Sequence, residues 1–151
     1  MCGFVAYKMV GKRFCMNKSE ARLFFEVQRA SFNFASLIGA LSNLSMELDE
    51  HASVPTPVTL VWDNLQARRS KEMVAFIAES PWLTVHYLPS YDPNDNPVEG
   101  VWSALKGSDL ANLCATNRDE LGLAASDGLE RINDNQSLLW GCLRGTKLDL
   151  D

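Results

Sequence analysis

The sequence lacks any hydrophobic run long enough to span a membrane, and Lys8, Lys12 and Arg13 interrupt the apolar start that a signal peptide needs. It also lacks an excess of basic residues, because its formal net charge is −5, so we expect no wide basic surface. Its four cysteines show no metal-binding spacing and are expected to be reduced and structural. These absences exclude a membrane protein and a cysteine-ligated metal domain, and they predict a cytoplasmic location.

The chain has enough apolar material for one hydrophobic core, with 151 residues of which 46% are hydrophobic. We therefore predict a single domain over residues 1–151. Residues 2–10 and 13–18 are expected to form a hairpin, and residues 22–28 a third strand. The later elements predicted from apolar spacing are helices at 34–49, from Ser70 to Pro81, at 118–132 and at 138–143, and a strand at 83–88.

The stretch from Leu88 to Lys106, LPSYDPNDNPVEGVWSALK, changes abruptly from a stiff loop to a helix. Three prolines and two asparagines crowd its first part, which no regular helix or strand tolerates. Asn96 is the expected N-cap and Pro97 fits the first helical position, while Glu99 falls where it can complete a capping box. The buried face of this helix is predicted to consist of Val98, Val101, Trp102 and Leu105.

Two carboxylates are candidates for chemistry. Glu99 could simply complete the cap and complement the helix dipole, but a loop this rigid is also well suited to hold a carboxylate still at a site. Asp63 follows the apolar run Val58–Trp62, which predicts a strand buried on both faces in a parallel or mixed α/β sheet. Asp63 could be a turn residue before Asn64, yet ligands and catalytic groups collect at the carboxyl ends of strands in such sheets.

A strand ending in Asp-Asn, an Arg-Ser-Lys helix start and the pattern LPxYxPxxNPxExxWxxLK together resemble the catalytic domain of DDE transposases. The resemblance is to the mariner superfamily, in its bacterial insertion-sequence branch. The separation of Asp63 and Glu99 is also close to the one that such enzymes use. The resemblance covers most of the chain, but it is weak before residue 32 and after residue 115. The matching residues are Asp63, Asn64, Arg69, Ser70, Lys71, Leu88, Pro89, Tyr91, Pro93, Asn96, Pro97, Glu99, Trp102 and Lys106.

The resemblance implies an α/β fold with a ribonuclease-H-like mixed sheet flanked by helices, and it implies DNA cleavage and joining by phosphoryl transfer. Two divalent ions assist this chemistry, and Mg²⁺ or Mn²⁺ is expected here because hard cations take oxygen ligands. By the resemblance, Asp63 and Glu99 are the catalytic and metal-binding residues. The residues expected to support the site are Asn64, Tyr91, Asn96 and Pro97.

Basic residues near the two acids could contact the DNA backbone, although a solvated helix start is the alternative for those around Ser70. The family commonly has a histidine shortly after the Asp-Asn pair, and here Arg68 holds that place. A neutral imidazole and a permanent cation are not equivalent beside a carboxylate and a metal. The candidate DNA-binding residues are Arg68, Arg69, Lys71 and Lys106.

The third acid of the family is an Asp on the first, central strand, and this chain has no acidic residue before Glu20. By the resemblance, Met1 falls at or just before the second strand, so we expect an amino-terminally truncated domain that lacks the first strand. The upstream helix-turn-helix region is expected to be absent as well. Two sheet edges would then be unpaired. Either the neighbouring strands close up, or another chain supplies a strand, or the product folds poorly.

Three functions remain open from the sequence. The chain could be a transposase or endonuclease catalytic domain that works with a partner fragment, or an inactive remnant of one, and we favour inactivity of this polypeptide alone. The alternative is a non-enzymatic DNA-binding or protein-interaction module on the same scaffold. The expected partners are DNA, a second chain that supplies the missing strand and a second copy in a homodimer. The expected location is the bacterial cytoplasm, on the nucleoid when DNA is bound.

Overall fold

The structure is a computed structural model of the chain that describes residues 1–7, 21–28, 31–49, 56–63, 70–89 and 95–146. The chain divides into two compact units. The terminal unit comprises Met1, residues 3–29 and residues 93–151, and the central unit comprises Cys2 and residues 30–92. The described elements, in chain order, are β1 (Cys2–Tyr7), β2 (Ala21–Glu26), α1 (Phe34–Asp49), β3 (Val58–Trp62), α2 (Lys71–Ala78), β4 (Leu83–Tyr87), α3 (Pro97–Gly107), α4 (Arg118–Asn133) and α5 (Gln136–Arg144).

The terminal unit packs a two-stranded sheet, β1 with β2, against the three carboxyl-terminal helices. Helices α4 and α5 contact β2, and α3 packs against both of these helices. The hydroxyl of Tyr7 donates to the carbonyl of Leu139 at 2.8 Å, and its ring lies 5.1 Å from that of Trp140. The buried core consists of Ala21, Leu23, Val101, Leu105, Ala125, Leu129, Ile132, Leu139, Trp140 and Leu143.

Side-chain amides from the helices close one edge of β2. The amide of Gln136 accepts from the Ala21 N–H at 3.0 Å and donates to the Ala21 carbonyl at 2.8 Å. The side-chain oxygen of Asn133 accepts from the Leu23 N–H at 2.7 Å. Because these backbone groups already have partners, a further strand cannot pair with β2 along this edge.

An ion pair joins the end of α3 to α4. The Arg131 guanidinium donates to both carboxylate oxygens of Asp109, at 3.0 and 2.6 Å. Hydrogen bonds from Arg131 and then from Ser108 lower the pKa of Asp109 to about 2. A Cβ at Gly128 would lie 2.6 Å from Leu105 Cδ1 and 2.9 Å from Asp109 Cβ. These short distances show that the helices approach each other closely here.

The central unit contains a parallel two-stranded sheet, in which Val58 lies opposite Leu83 and Trp62 opposite Tyr87. Helix α1 packs against α2, and α2 packs against β4. The start of α2 is capped by Ser70, whose hydroxyl accepts from the Met73 N–H at 3.2 Å. The buried apolar residues of this unit include Leu37, Ala40, Leu41, Leu44, Leu60, Trp62, Met73, Leu83 and Leu88.

Most of the predicted elements are confirmed, including the helix at 34–49, while the predicted strand at 13–18 lies outside the described residues. The apolar spacing in α2 predicts that Met73, Val74 and Ile77 point inward, and this is wrong for Val74, which exposes 55% of its surface. Met73 is fully buried, and the next residue along a helix turns away from that side. None of the described helices is both long and apolar enough to cross a bilayer.

The prediction that β3 is buried on both faces is also wrong. Leu60 and Trp62 are buried, but the alternate residues Thr59 and Val61 are exposed, Val61 by 38% of its surface. Their parallel neighbours Thr84 and His86 are exposed too, so one face of this two-stranded sheet is uncovered. A short apolar run does not reveal by itself whether one face or both faces of a strand are covered.

Candidate active site

Asp63 stands where the β3 ladder ends. The Leu88 N–H donates to the carbonyl of Trp62 at 2.7 Å, so the pairing with β4 continues to the residue directly before Asp63. At the other end of β3, the Val58 N–H donates to the carbonyl of Trp82 at 2.7 Å. Asp63 is half-buried. The predicted position of this carboxylate, at the carboxyl end of a parallel strand, is therefore confirmed, while its catalytic role remains a prediction.

Glu99 lies in the first turn of α3, and Pro97 is the first residue of that helix. The predicted N-cap is confirmed, because the Asn96 side chain accepts from the Val98 N–H at 3.2 Å. The possible capping box is not seen: among the described residues, none forms a hydrogen bond or ion pair with the Glu99 carboxylate. Glu99 is exposed, so its carboxylate is available to a ligand.

Close packing fixes the first turn of α3. A Cβ at Gly100 would lie 2.8 Å from Cys142 Sγ and 3.2 Å from Cys142 Cβ, so only glycine allows α5 to approach this closely. Val101, directly after Gly100, and Leu105, about one turn beyond Val101, are fully buried. On the sheet side, a Cβ at Gly3 would meet the Trp102 ring at 2.8 Å. Contacts on both sides therefore fix the helix that carries Glu99 within the terminal unit.

Glu99 borders an open groove of about 530 Å³ that runs between α3 and α5. Glycines and small polar residues line most of it, together with Cys142, and burial raises the pKa of the Cys142 thiol. The other lining residues are Asn96, Gly100, Ser103, Ala104, Leu138, Gly141, Gly145 and Thr146.

Two of the candidate DNA-binding residues are described. Lys71 is the first residue of α2 and Lys106 lies in the last turn of α3, and both are exposed. An exposed lysine in the last turn also complements the helix dipole, so its position alone does not require DNA. The candidate residues that lie outside the described ranges are Asn64, Arg68, Arg69 and Tyr91.

The structure also contains polar contacts that sequence reasoning missed. The pair Asp109–Arg131 and the strand-capping amides of Asn133 and Gln136 join residues far apart in the chain. No local pattern marks such partners, since asparagine, glutamine and aspartate are ordinary residues at helix ends. These contacts stabilise the terminal unit, and none of them involves Asp63 or Glu99.

Comparisons with known proteins found a matching family and a similar solved structure. Residues 9–122 match the protein family described as DDE superfamily endonuclease. The structure is similar to the catalytic domain of the Mos1 mariner transposase, with a TM-score of 0.53, 15% sequence identity, and a match that covers 97% of this chain and 82% of that chain. None of the curated proteins matches the sequence. At this identity the structural likeness shows the fold, and it confirms the predicted α/β, ribonuclease-H-like class.

Proposed function

The chain belongs to the DDE superfamily of endonucleases, and from this we propose that it is the catalytic part of a transposase whose substrate is DNA. The reaction is cleavage of a DNA strand and its transfer to a new site, by displacement at phosphorus. Asp63 and Glu99 act together on the scissile phosphate. Their residue types and the elements that carry them support this role, as does the sequence pattern around each.

The observation that carries the proposal is the exposed carboxylate of Glu99, which has no partner among the described residues. A structural glutamate in a first turn either bonds to the cap or complements the helix dipole. Here Asn96 caps the helix through the Val98 N–H, and the glutamate is not needed for this. A carboxylate that has no partner among the described residues and is carried on a tightly packed turn is the arrangement expected of a metal or substrate ligand.

Enzymes of this superfamily depend on divalent metal ions, and we propose Mg²⁺ or Mn²⁺ as the ion. The chemistry of Asp63 and Glu99 fits, because both ions take carboxylate oxygens and Mg²⁺ often takes only one or two from the protein. The described residues contain no group of three or more His, Cys, Asp or Glu side chains that could hold a metal. We therefore assign only these two acids of the chain as ligands.

The protein itself contributes binding and orientation. A bound divalent ion supplies stabilisation of the charge on the attacking and leaving oxygens. Asp63, half-buried at a strand end, and Glu99, on a packed first turn, supply carboxylates from backbone positions that the fold holds in place. Lys71 and Lys106, with Arg68 and Arg69, bind the negatively charged backbone of the same DNA and fix its register.

A third acidic ligand, from a second chain, completes the site in this proposal. Residues 1–19 contain no acid, and the resemblance implies a third acid, an aspartate on the family's first strand. Without that ligand we expect the chain to bind DNA but not to cut it, since loss of one metal ligand normally costs orders of magnitude in rate.

The test is nicking of supercoiled plasmid DNA by the purified chain in Mg²⁺ or Mn²⁺. The variants are Asp63→Ala, Glu99→Ala and, as a matched control, Glu72→Ala. Glu72 is also an exposed acid in the first turn of a helix, α2. The expected result is no metal-dependent nicking by any version of the chain, in samples shown to be folded and to shift a DNA duplex.

Two results would change the proposal in different ways. Nicking that is lost in Asp63→Ala and in Glu99→Ala but kept in Glu72→Ala would support the two assigned acids and overturn the need for a second chain. Nicking that survives both substitutions would overturn the assignment of the site itself. A folded chain that fails to bind DNA would remove the substrate from the proposal.

A further inference from the structure

Strand β1 contacts two of the helices in the terminal unit. Gly3, Val5 and Tyr7 lie on one face of the strand, because alternate residues point to the same side. A Cβ at Gly3 would meet the Trp102 ring of α3 at 2.8 Å. Val5 and Tyr7 pack against the buried core of this unit, and Tyr7 reaches α5. The strand therefore sets the positions of α3 and α5 relative to the same sheet.

Tyr7 makes a directional contact with α5. Its hydroxyl donates to the Leu139 carbonyl at 2.8 Å, and its ring lies 5.1 Å from the Trp140 ring at an angle of 53°. A carbonyl inside a helix can accept a second hydrogen bond beside that of the helical ladder, so this bond is not needed to form α5. Because hydrogen bonds are directional, the bond fixes where α5 lies on the sheet.

The Tyr7 hydroxyl remains a donor at neutral pH. Burial, and then the charge of the nearby Cys142 thiolate at high pH, raise the pKa of Tyr7 well above its usual value. The phenol is therefore protonated and neutral under the conditions in which the protein is studied. The electrostatic influence of Cys142 also shows that these two side chains lie near each other.

Helix α5 carries this constraint to the turn that bears Glu99. Cys142 lies about one turn after Leu139, and its Sγ stands 2.8 Å from where a Cβ on Gly100 would be. Gly100 directly follows Glu99 in the first turn of α3. Protein interiors are close-packed, so a shift of α5 towards α3 would displace that turn, and a shift away would remove its support.

We propose that Tyr7 is a positioning residue for Glu99. Its hydroxyl holds α5 at the distance from which Cys142 supports the turn that carries the carboxylate. Tyr7 itself contacts neither metal nor DNA in this proposal. That Glu99 binds a metal ion rests on the proposed function, whereas the contacts that join β1, α5 and α3 do not depend on it.

The hydrogen bond between Asn133 and β2 provides a matched control. The Asn133 side chain accepts from the Leu23 N–H at 2.7 Å, and this bond, like that of Tyr7, is a partly buried contact between a helix and the same sheet. Asn133 belongs to α4, which approaches α3 closely at Gly128, near the end of α3 opposite to Glu99. Loss of either bond should lower stability, but only loss of the Tyr7 bond should affect the Glu99 turn.

The test compares Tyr7→Phe, which keeps the ring, with Asn133→Ala in the full chain without metal. One readout is NMR amide exchange at Glu99, whose N–H donates to the Asn96 carbonyl at 3.0 Å. The other is the alkylation rate of Cys142, followed by mass spectrometry of its own peptide. After correction for global unfolding measured in urea, Tyr7→Phe should raise both rates by about two- to tenfold, as expected for loss of one hydrogen bond. Asn133→Ala should leave both rates unchanged.

A rescue variant and a metal titration make the test specific. p-Aminophenylalanine in place of Tyr7 keeps an N–H donor where the hydroxyl was, so it should restore both rates to those of the original chain. The affinity of the Glu99 site for Mn²⁺, measured by paramagnetic broadening, should fall about tenfold in Tyr7→Phe, the lower end of the loss expected for residues that support a metal ligand. It should be unchanged in Asn133→Ala.

Three results would overturn the inference. They are rates in Tyr7→Phe equal to those of the original chain, equal increases in Tyr7→Phe and Asn133→Ala, and failure of p-aminophenylalanine to restore the rates. The second would mean that Tyr7 contributes only general stability. If the original chain binds no Mn²⁺ at Glu99, the proposed metal site is refuted, while the two rates measured without metal still decide the role of Tyr7.

Discussion

The substitution Gly100→Ala tests whether packing fixes the turn that carries Glu99. The added methyl group would lie 2.8 Å from Cys142 Sγ and 3.2 Å from Cys142 Cβ, well inside normal contact distances. Relief requires a shift of α5 or of the thiol, and overpacking of this kind typically costs 1–3 kcal/mol. Alanine in place of a helical glycine returns roughly 0.5–1 kcal/mol, so we expect a net destabilisation of about 1 kcal/mol.

Gly141 on the facing helix is the matched control. A Cβ at Gly141 would meet nothing within 4 Å, so Gly141→Ala should stabilise the protein by roughly 0.5–1 kcal/mol. The two variants should therefore shift the free energy of unfolding in opposite directions in urea denaturation. They should shift the melting temperature in the same opposite directions, by about 2–4 °C per kcal/mol.

A double-mutant cycle identifies the contact that causes the effect. In a Cys142→Ala background the sulfur is gone, and only the weaker overlap with the Cβ at 3.2 Å remains. The cost of Gly100→Ala should then fall. If Gly100→Ala is as stabilising as Gly141→Ala in the original chain, the claim that α5 holds the Glu99 turn in place is refuted.

Two further predictions concern pH and DNA. The pKa of Asp109 is lowered from 3.8 to about 2, first by the hydrogen bond from Arg131, so its stabilisation is complete above about pH 4 and is lost as the pH falls through 2. The difference in melting temperature between the original chain and Asp109→Asn should shrink steadily as the pH falls from 4 to 2, and a difference as large at pH 2 as at pH 5 would contradict this. Lys106→Ala should weaken binding to unrelated duplexes equally and lower the slope of log K against log salt by about 1, in anisotropy titrations. An unchanged slope would remove Lys106 from the DNA interface.

Local signals predicted the elements well. The helix at 34–49 was expected from its leucine spacing and is found with the same bounds. The caps of α2 and α3 were expected from Ser70 and Asn96, and both side chains accept the hydrogen bonds that define an N-cap. These features depend on residues within one or two turns, which is the range over which a sequence pattern carries physical information.

Features that depend on distant residues were not predictable. The sequence pattern did not show that Val61 is exposed, because the covering of a strand depends on which helices pack on it. The Asn133 and Gln136 amides that close β2 are over a hundred residues away from it in the chain. For the candidate site, the sequence located both acids on the right elements, but only the structure showed that Glu99 does not take part in the cap.

The central claim is that Asp63 and Glu99 bind the same divalent ion, and paramagnetic broadening by Mn²⁺ tests it most directly. Mn²⁺ added to the isotope-labelled chain should broaden the amide signals around both acids together. Both sets should sharpen again in Asp63→Asn and in Glu99→Gln, but not in Glu72→Gln. Broadening around one acid that persists after substitution of the other would contradict the claim.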